Sequence, residues 1–185
     1  MTILVSGLTL FIGIHLLREF NLRNAVIDRL GANYYRLTYS MIALIGLGLI
    51  IWGKATAPFE MVYQPIYEYK SLSHIVMLPA FILVMAGNLP NSYIRRQTVH
   101  PMLVGTAIWG GAHLWANGDL ASMILFGSIG IWAMIKFLTL IKLKPVPDNP
   151  ASLTWDVMAV VLGFCVYGIV LVYHGQLFGI GLTFG

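Results

Sequence analysis

The chain has 185 residues, 58% of them hydrophobic and only 10% Asp, Glu, Lys or Arg, with a mean hydropathy of +0.81. A soluble domain of this size carries about 25% charge, so the composition excludes one and specifies an integral membrane protein facing the lipid bilayer. The net charge of +4 does not point to nucleic acid, because the basic residues flank apolar segments instead of forming a stripe among exposed aromatics.

The length holds six spans of roughly 20 residues with short connections, so residues 1–185 read as one all-α, polytopic transmembrane domain. Spans are predicted at about 2–17, 34–53, 73–89, 100–117, 119–141 and 153–175, the first and third being short. No basic residue precedes the first segment and Arg18 follows it, the wrong order for a cleavable signal, so that segment reads as a retained span. Residues 18–33 mix Leu22, Val26, Ile27 and Leu30 with charges, the pattern of an amphipathic helix lying on the membrane surface. Residues 54–72 carry Pro58, Pro65, Phe59, Tyr63, Tyr67 and Tyr69, as expected of an interfacial loop.

Pro101 suits the first turn of span four, where its missing N–H costs no helical bond. Asn117-Gly118-Asp119 predicts a tight stop and restart, with Gly118 ending one helix in the left-handed conformation and Asp119 capping the next. Asp156 falls in the first turn of span six, where a carboxylate complements the helix dipole. Arg18, Arg23, Arg29, Arg36, Arg95, Arg96, Lys136, Lys142 and Lys144 mark one side of the membrane, against Lys54 and Lys70 on the other. By the positive-inside rule both termini are then non-cytoplasmic.

Five histidines lie among these segments. His15 and His113 stand in matching frames, Gly7-x-x-x-Phe11-x-Gly13-x-His15-Leu16 and Gly105-x-x-x-Trp109-x-Gly111-x-His113-Leu114. The frames raise a 3+3 inverted repeat with a two-fold axis in the membrane plane, against coincidence in helices rich in Gly and Leu. In a repeat the two rings straddle the bilayer midplane, an arrangement suited to axial ligation on opposite faces of a haem; the alternative is a satisfied interhelical hydrogen bond. His100 opens span four and reads as a capping or interfacial residue, about 20 Å along the helix from His113, too far to share an ion. His74 and His174 open span three and end span six; with His113 they offer a small metal site or an alternative haem pair, against interfacial rings bonded to water.

The single Cys165 allows neither a disulfide nor covalent haem attachment, so any haem is of b type. No phosphate loop, catalytic nucleophile motif, acidic pair or His-Glu-x-x-His run is present.

The run Arg96-Gln97-Thr98-Val99-His100-Pro101-Met102-Leu103-Val104-Gly105, continued by Trp109-Gly110-Gly111-Ala112-His113-Leu114-Trp115-Ala116-Asn117-Gly118-Asp119, resembles the NnrU family of membrane proteins. Phe11-Ile12-Gly13-Ile14-His15 and Tyr35-Arg36-Leu37-Thr38-Tyr39-Ser40 fit the same pattern, which is also similar to the 15-cis-zeta-carotene isomerase family, membrane enzymes holding haem b. The resemblance implies non-covalent haem b between the first and fourth spans, with His15 and His113 as ligands and His74 and His100 nearby. Gly7, Gly13, Gly105 and Gly111 are expected to admit macrocycle or helix backbone, and Trp109 to pack on the ring. The isomerase pattern is Trp-Cys-x-Ala-His, its cysteine implied to replace a histidine on reduced iron; here Gly110 stands in its place, which puts that route in doubt.

His100-Pro101-x-x-x-Gly105 is also similar to a signature of isoprenylcysteine-type methyltransferases, but Val99 and Leu103 replace its Arg and Tyr and no acidic pair follows. The expectation is therefore a bacterial inner-membrane haem b protein, an isomerase or redox protein for a lipophilic substrate or linked to nitrite and nitric oxide metabolism. A non-catalytic factor that binds and stabilises a membrane protein partner in a respiratory or denitrification complex is the competing expectation.

Overall fold

The computed structural model describes residues 1–17, 20, 22–66, 70–141 and 150–178. Arg18, Tyr67, Tyr69, Lys142 and Lys144, used above for topology and the interfacial loop, lie outside the described residues. Among the described residues the fold is all-α, with helices α1 (Thr2–His15), α2 (Leu22–Leu30), α3 (Ala32–Ala55), α4 (Lys70–Asn88), α5 (Tyr93–Thr98), α6 (Pro101–Ala116), α7 (Leu120–Leu140) and α8 (Leu153–Phe178). Each predicted span coincides with one helix, α1, α3, α4, α6, α7 or α8, and the surface segment before span two contains α2.

α3, α4, α7 and α8 are long and apolar enough to cross a membrane. Their outward faces carry residues such as Leu44, Ile135 and Val172, each at least 60% exposed, a surface that water would penalise and lipid tails accept. The chain is a membrane protein with several apolar helices. α1 and α6 are shorter, at 14 and 16 residues, rising about 21 and 24 Å against a hydrocarbon core of about 30 Å. These two short helices carry His15 and His113.

The chain forms two compact units, Met1–Glu60 and Met61–Gly185. In the first, α1 runs antiparallel to α3 with their backbones in close approach: a Cβ on Gly7 would lie 2.7 Å from the Ile50 nitrogen, and one on Gly46 2.9 Å from the Phe11 nitrogen. Small residues let membrane helices gain dispersion contact where burial from water contributes nothing. α2 buries no residue and leads through Gly31, at φ 82°, into α3. The Arg23 guanidinium lies 5.9 Å from the Tyr35 ring centre.

In the second unit α7 packs on α6, α6 on α4 and α4 on α8, each pair antiparallel. The contacts again centre on glycine: a Cβ on Gly105 would stand 2.6 Å from the Ala80 carbonyl oxygen, and one on Gly163 2.7 Å from the Ile82 Cα. Gly7 meets α3 and Gly105 meets α4, so the two histidine frames have different packing partners.

One end of this unit is held by polar ties. Asp156, 8% exposed, accepts from the backbone N–H of Tyr93 at 3.0 Å and of Ile94 at 2.9 Å, and Ser92 caps the Arg95 N–H at 3.1 Å. The role expected of Asp156 within its own helix is thus extended: its carboxylate caps the neighbouring helix α5. α5 leads to α6 through Val99, whose φ of 62° and ψ of −50° close a tight turn with the His100 N–H on the Thr98 carbonyl at 2.7 Å. A β-branched residue with positive φ is strained. Pro101 then opens α6 as expected.

At the other end Asp119 caps α7, accepting from the Ser122 N–H at 2.9 Å and its hydroxyl at 2.6 Å. Gly118 has a different role from the one expected. Its φ is not positive, and Asn117 ends α6 in extended conformation at φ −131° and ψ 122°. Glycine is required here because the Tyr63 carbonyl occupies the space a Cβ would fill. The Val62 and Tyr63 N–H groups donate to the Gly118 carbonyl at 2.8 and 3.1 Å, and this pairing stops α6 before Asn117.

Candidate functional site

His113 lies in the last turn of α6, where the i−4 carbonyl is within reach of its ring. Nδ1 is 2.9 Å from the Trp109 oxygen. A carbonyl only accepts, so Nδ1 carries the proton and, in the neutral ring, Nε2 keeps the lone pair. This is the state in which an imidazole ligates a metal, its other nitrogen held by backbone.

Aromatic rings surround it. Phe126 of α7 stacks at 4.2 Å and 26°, Trp109 stands at 4.9 Å and 48°, and Phe126 meets Trp109 edge-on at 5.0 Å. Trp109 therefore packs on the histidine ring itself. His174 of α8 lies 6.5 Å from His113 between centres, with ring planes 22° apart, and Phe178 backs His174 at 5.1 Å. His74, in the second turn of α4, lies at the same end, where its carbonyl accepts from the Tyr167 hydroxyl at 3.0 Å. Three of the five histidines thus gather at one end of this unit, on α4, α6 and α8.

His15, in the other unit, repeats the local geometry. It is the last residue of α1, its Nδ1 is 2.6 Å from the Phe11 oxygen, and its ring lies 4.5 Å from Phe11 and 5.3 Å from Tyr39. The matched frames therefore hold both rings in one tautomer, each tied to the carbonyl of an aromatic four residues back. His100 occupies the N-cap position of α6 without capping through its side chain, at the opposite end of the helix from His113.

The four frame glycines divide in two. Gly7 and Gly105 are filled by neighbouring backbone, whereas a Cβ on Gly13 or Gly111 would meet nothing within 4 Å. At Gly110 a Cβ would lie 2.8 Å from the Phe126 carbonyl oxygen and 3.0 Å from the Gly130 Cα, so the position opposite the isomerase cysteine is closed by α7.

Tyr63 completes this end of the second unit. Its hydroxyl donates to the Leu114 carbonyl and lies 2.8 Å from the Asn117 carbonyl. Burial, and then the nearby Asp119 carboxylate, push its phenol above the usual range. Among the described residues no group of three or more His, Cys, Asp or Glu is arranged to hold a metal ion. The histidine cluster places imidazole rings against aromatic neighbours on α6, α7 and α8.

No curated protein and no solved structure matches the chain. The family model described as NnrU protein matches residues 3–182, nearly the whole sequence, and the chain belongs to the NnrU family.

Proposed function

We propose that this protein is a non-covalent haem b protein of the bacterial inner membrane, with His113 as an iron ligand. The observation that supports this reading is the His113 ring, held by the Trp109 carbonyl in the tautomer that leaves Nε2 as the donor. Phe126 and Trp109 pack on the ring and hold its plane. His15, in the first unit, shows the same local preparation, its Nδ1 bonded to the Phe11 carbonyl.

Haem, when bound, supplies an iron centre for electron transfer or for binding a small ligand such as nitric oxide. The chain's own part is to hold imidazole donors, exclude water and expose apolar flanks through which a lipophilic substrate can arrive. No sulfur stands at position 110, so this reading contains no exchange of histidine for thiolate there.

The test is the absorption spectrum of the detergent-purified protein, oxidised and dithionite-reduced. A Soret band with sharp reduced α and β bands, lost in His113→Ala, is expected. Colourless protein after haem supplementation would refute the reading and favour a non-catalytic assembly factor.

A further inference from the structure

α2 is helical with little protein around it. It has nine residues, Leu22–Leu30, and none of them is buried. A helix this short gains too few hydrogen bonds to offset its nucleation and is marginal in water unless one face is covered. Its contact within the first unit is with α3, where the Arg23 guanidinium lies 5.9 Å from the Tyr35 ring centre and the Gly31 N–H donates to the Ile27 carbonyl at 2.7 Å. Leu22 and Leu30 remain about half exposed, at 49% and 51%.

Three aliphatic residues of α2 share one face. At about 3.6 residues per turn, Arg29, Leu22, Val26, Leu30 and Arg23 follow one another around an arc of about 120°, with the aliphatic residues in the middle and an arginine at each edge. Asn24 and Asp28 lie on the opposite side of the helix, so its one acidic residue is turned away from both arginines. Arg23 and Arg29 are exposed, as is Arg36 in the second turn of α3.

Position selects what covers this face. α3 is long and apolar enough to cross a membrane, and its 24 residues rise about 36 Å against a hydrocarbon core of about 30 Å, so its ends reach the headgroup layers. Tyr34, 71% exposed, and Tyr35 are amphipathic rings of the kind enriched at that depth. α2 joins this end of α3 through Gly31 and meets the same boundary. Leu22, Val26 and Leu30 match the acyl side of the boundary, and the arginine stems can lie along them while the guanidiniums reach phosphate oxygens. Three exposed cations against one acid turned aside favour a headgroup with net negative charge over a zwitterion.

We propose that α2 is a binding element for anionic phospholipid, with Arg23, Arg29 and Arg36 taking the headgroup phosphates and Leu22, Val26 and Leu30 the adjoining acyl chains. The proposal is independent of the haem reading.

The test is hydrogen–deuterium exchange over residues 22–31 of the full-length protein in nanodiscs of phosphatidylcholine alone or of equal parts phosphatidylcholine and phosphatidylglycerol. An arginine at a negatively charged membrane surface contributes roughly fivefold to the bound equilibrium, so Arg23 and Arg29 together are expected to slow exchange in the mixed discs by roughly 25-fold. Arg23→Gln/Arg29→Gln is expected to exchange at the same rate in both lipids, and Arg23→Lys/Arg29→Lys to keep most of the slowing. Should the glutamine variant not reconstitute, raising the ionic strength of the parent sample from about 0.05 to about 0.5 M is expected to remove the difference between the lipids. Equal exchange of the parent in the two lipids at low salt, or slowing that survives in the glutamine variant, would overturn the proposal. Protection that rises instead with the number of protein copies per disc would also overturn it, and would assign the face to a second copy of the chain.

Discussion

Adjacent glycines in α6 are expected to respond to alanine with opposite signs. At Gly110 the new methyl carbon would stand 2.8 Å from the Phe126 oxygen and 3.0 Å from the Gly130 Cα, both backbone atoms of α7 that no side-chain rotation can clear. Relief requires moving the two helices apart by about half an ångström, an overpacking penalty of about 1–3 kcal/mol. Replacing glycine in a helix returns about 1 kcal/mol of that, so Gly110→Ala is expected to destabilise by about 1–2 kcal/mol. At Gly111 a Cβ meets nothing within 4 Å, and the helix term acts alone, stabilising by up to about 1 kcal/mol. Gly130→Ala, whose Cβ would lie at an ordinary 3.6 Å from Gly110, behaves like Gly111→Ala. The assay is reversible unfolding in mixed micelles, followed by tryptophan fluorescence and helical circular dichroism. Midpoints for Gly110→Ala and Gly111→Ala that shift in the same direction by similar amounts would refute the assigned α6–α7 contact.

Asp156→Ala removes two charge-assisted bonds and leaves the Tyr93 and Ile94 N–H groups without that acceptor, an expected loss of about 2–4 kcal/mol with faster hydrogen exchange confined first to residues 93–98. Asp156→Asn, which keeps one acceptor oxygen, is expected to lose less; equal exchange rates in the two variants would count against the cap. Val99→Gly relieves a positive φ and is expected to raise stability by about 1 kcal/mol after the entropy cost of glycine, read as a higher thermal midpoint; a lower midpoint would show that the valine side chain contributes more than its backbone costs. The Tyr63 phenol is raised in the folded state by burial and Asp119, so its contribution is complete below the ordinary tyrosine value near 10 and is lost as pH rises through the folded value. A difference absorbance titration between the parent and Tyr63→Phe should therefore show a phenol ionising above 10, and ionisation below 10 would contradict the placement.

The helices were legible because in a membrane the apolar run is itself the element, and Pro101 and Asp119 fix their starts by local chemistry that needs no tertiary partner. The paired histidine frames were also legible, but the hydrogen bond expected of them was interhelical, whereas each Nδ1 bonds the carbonyl four residues back in its own helix. The structure adds what depends on neighbours. Asp156 reads in sequence as a residue at its own helix start, and only the fold brings the Tyr93 and Ile94 N–H groups to it. Gly118 reads as a left-handed stop because that is the commoner reason for glycine after a helix; the Tyr63 carbonyl that demands it comes from 55 residues earlier in the chain. α5 is too short to leave a periodic signal, and the strain at Val99 has none. His174 was named in sequence as one companion of His113, and the ring contact between them depends on the register of α8, which hydropathy alone does not select.

The orientation of the His113 ring depends on the way α6 ends as well as on helix geometry. The last carbonyls of a helix lack intrahelical donors and would compete for any nearby N–H. Here the Asn117 N–H and side-chain amide both donate to the His113 carbonyl at 2.9 Å, and the Tyr63 hydroxyl serves the Leu114 and Asn117 carbonyls. With those acceptors occupied, the ring Nδ1 has one geometrically obvious partner, the Trp109 oxygen, and Phe126 holds the plane that bond selects. The orientation of Nε2 is thus set by α6 together with the loop that stops it. A ring fixed in advance has little side-chain entropy left to lose, so under the proposed haem reading the short helix and its strapped end would contribute to affinity as well as to shape.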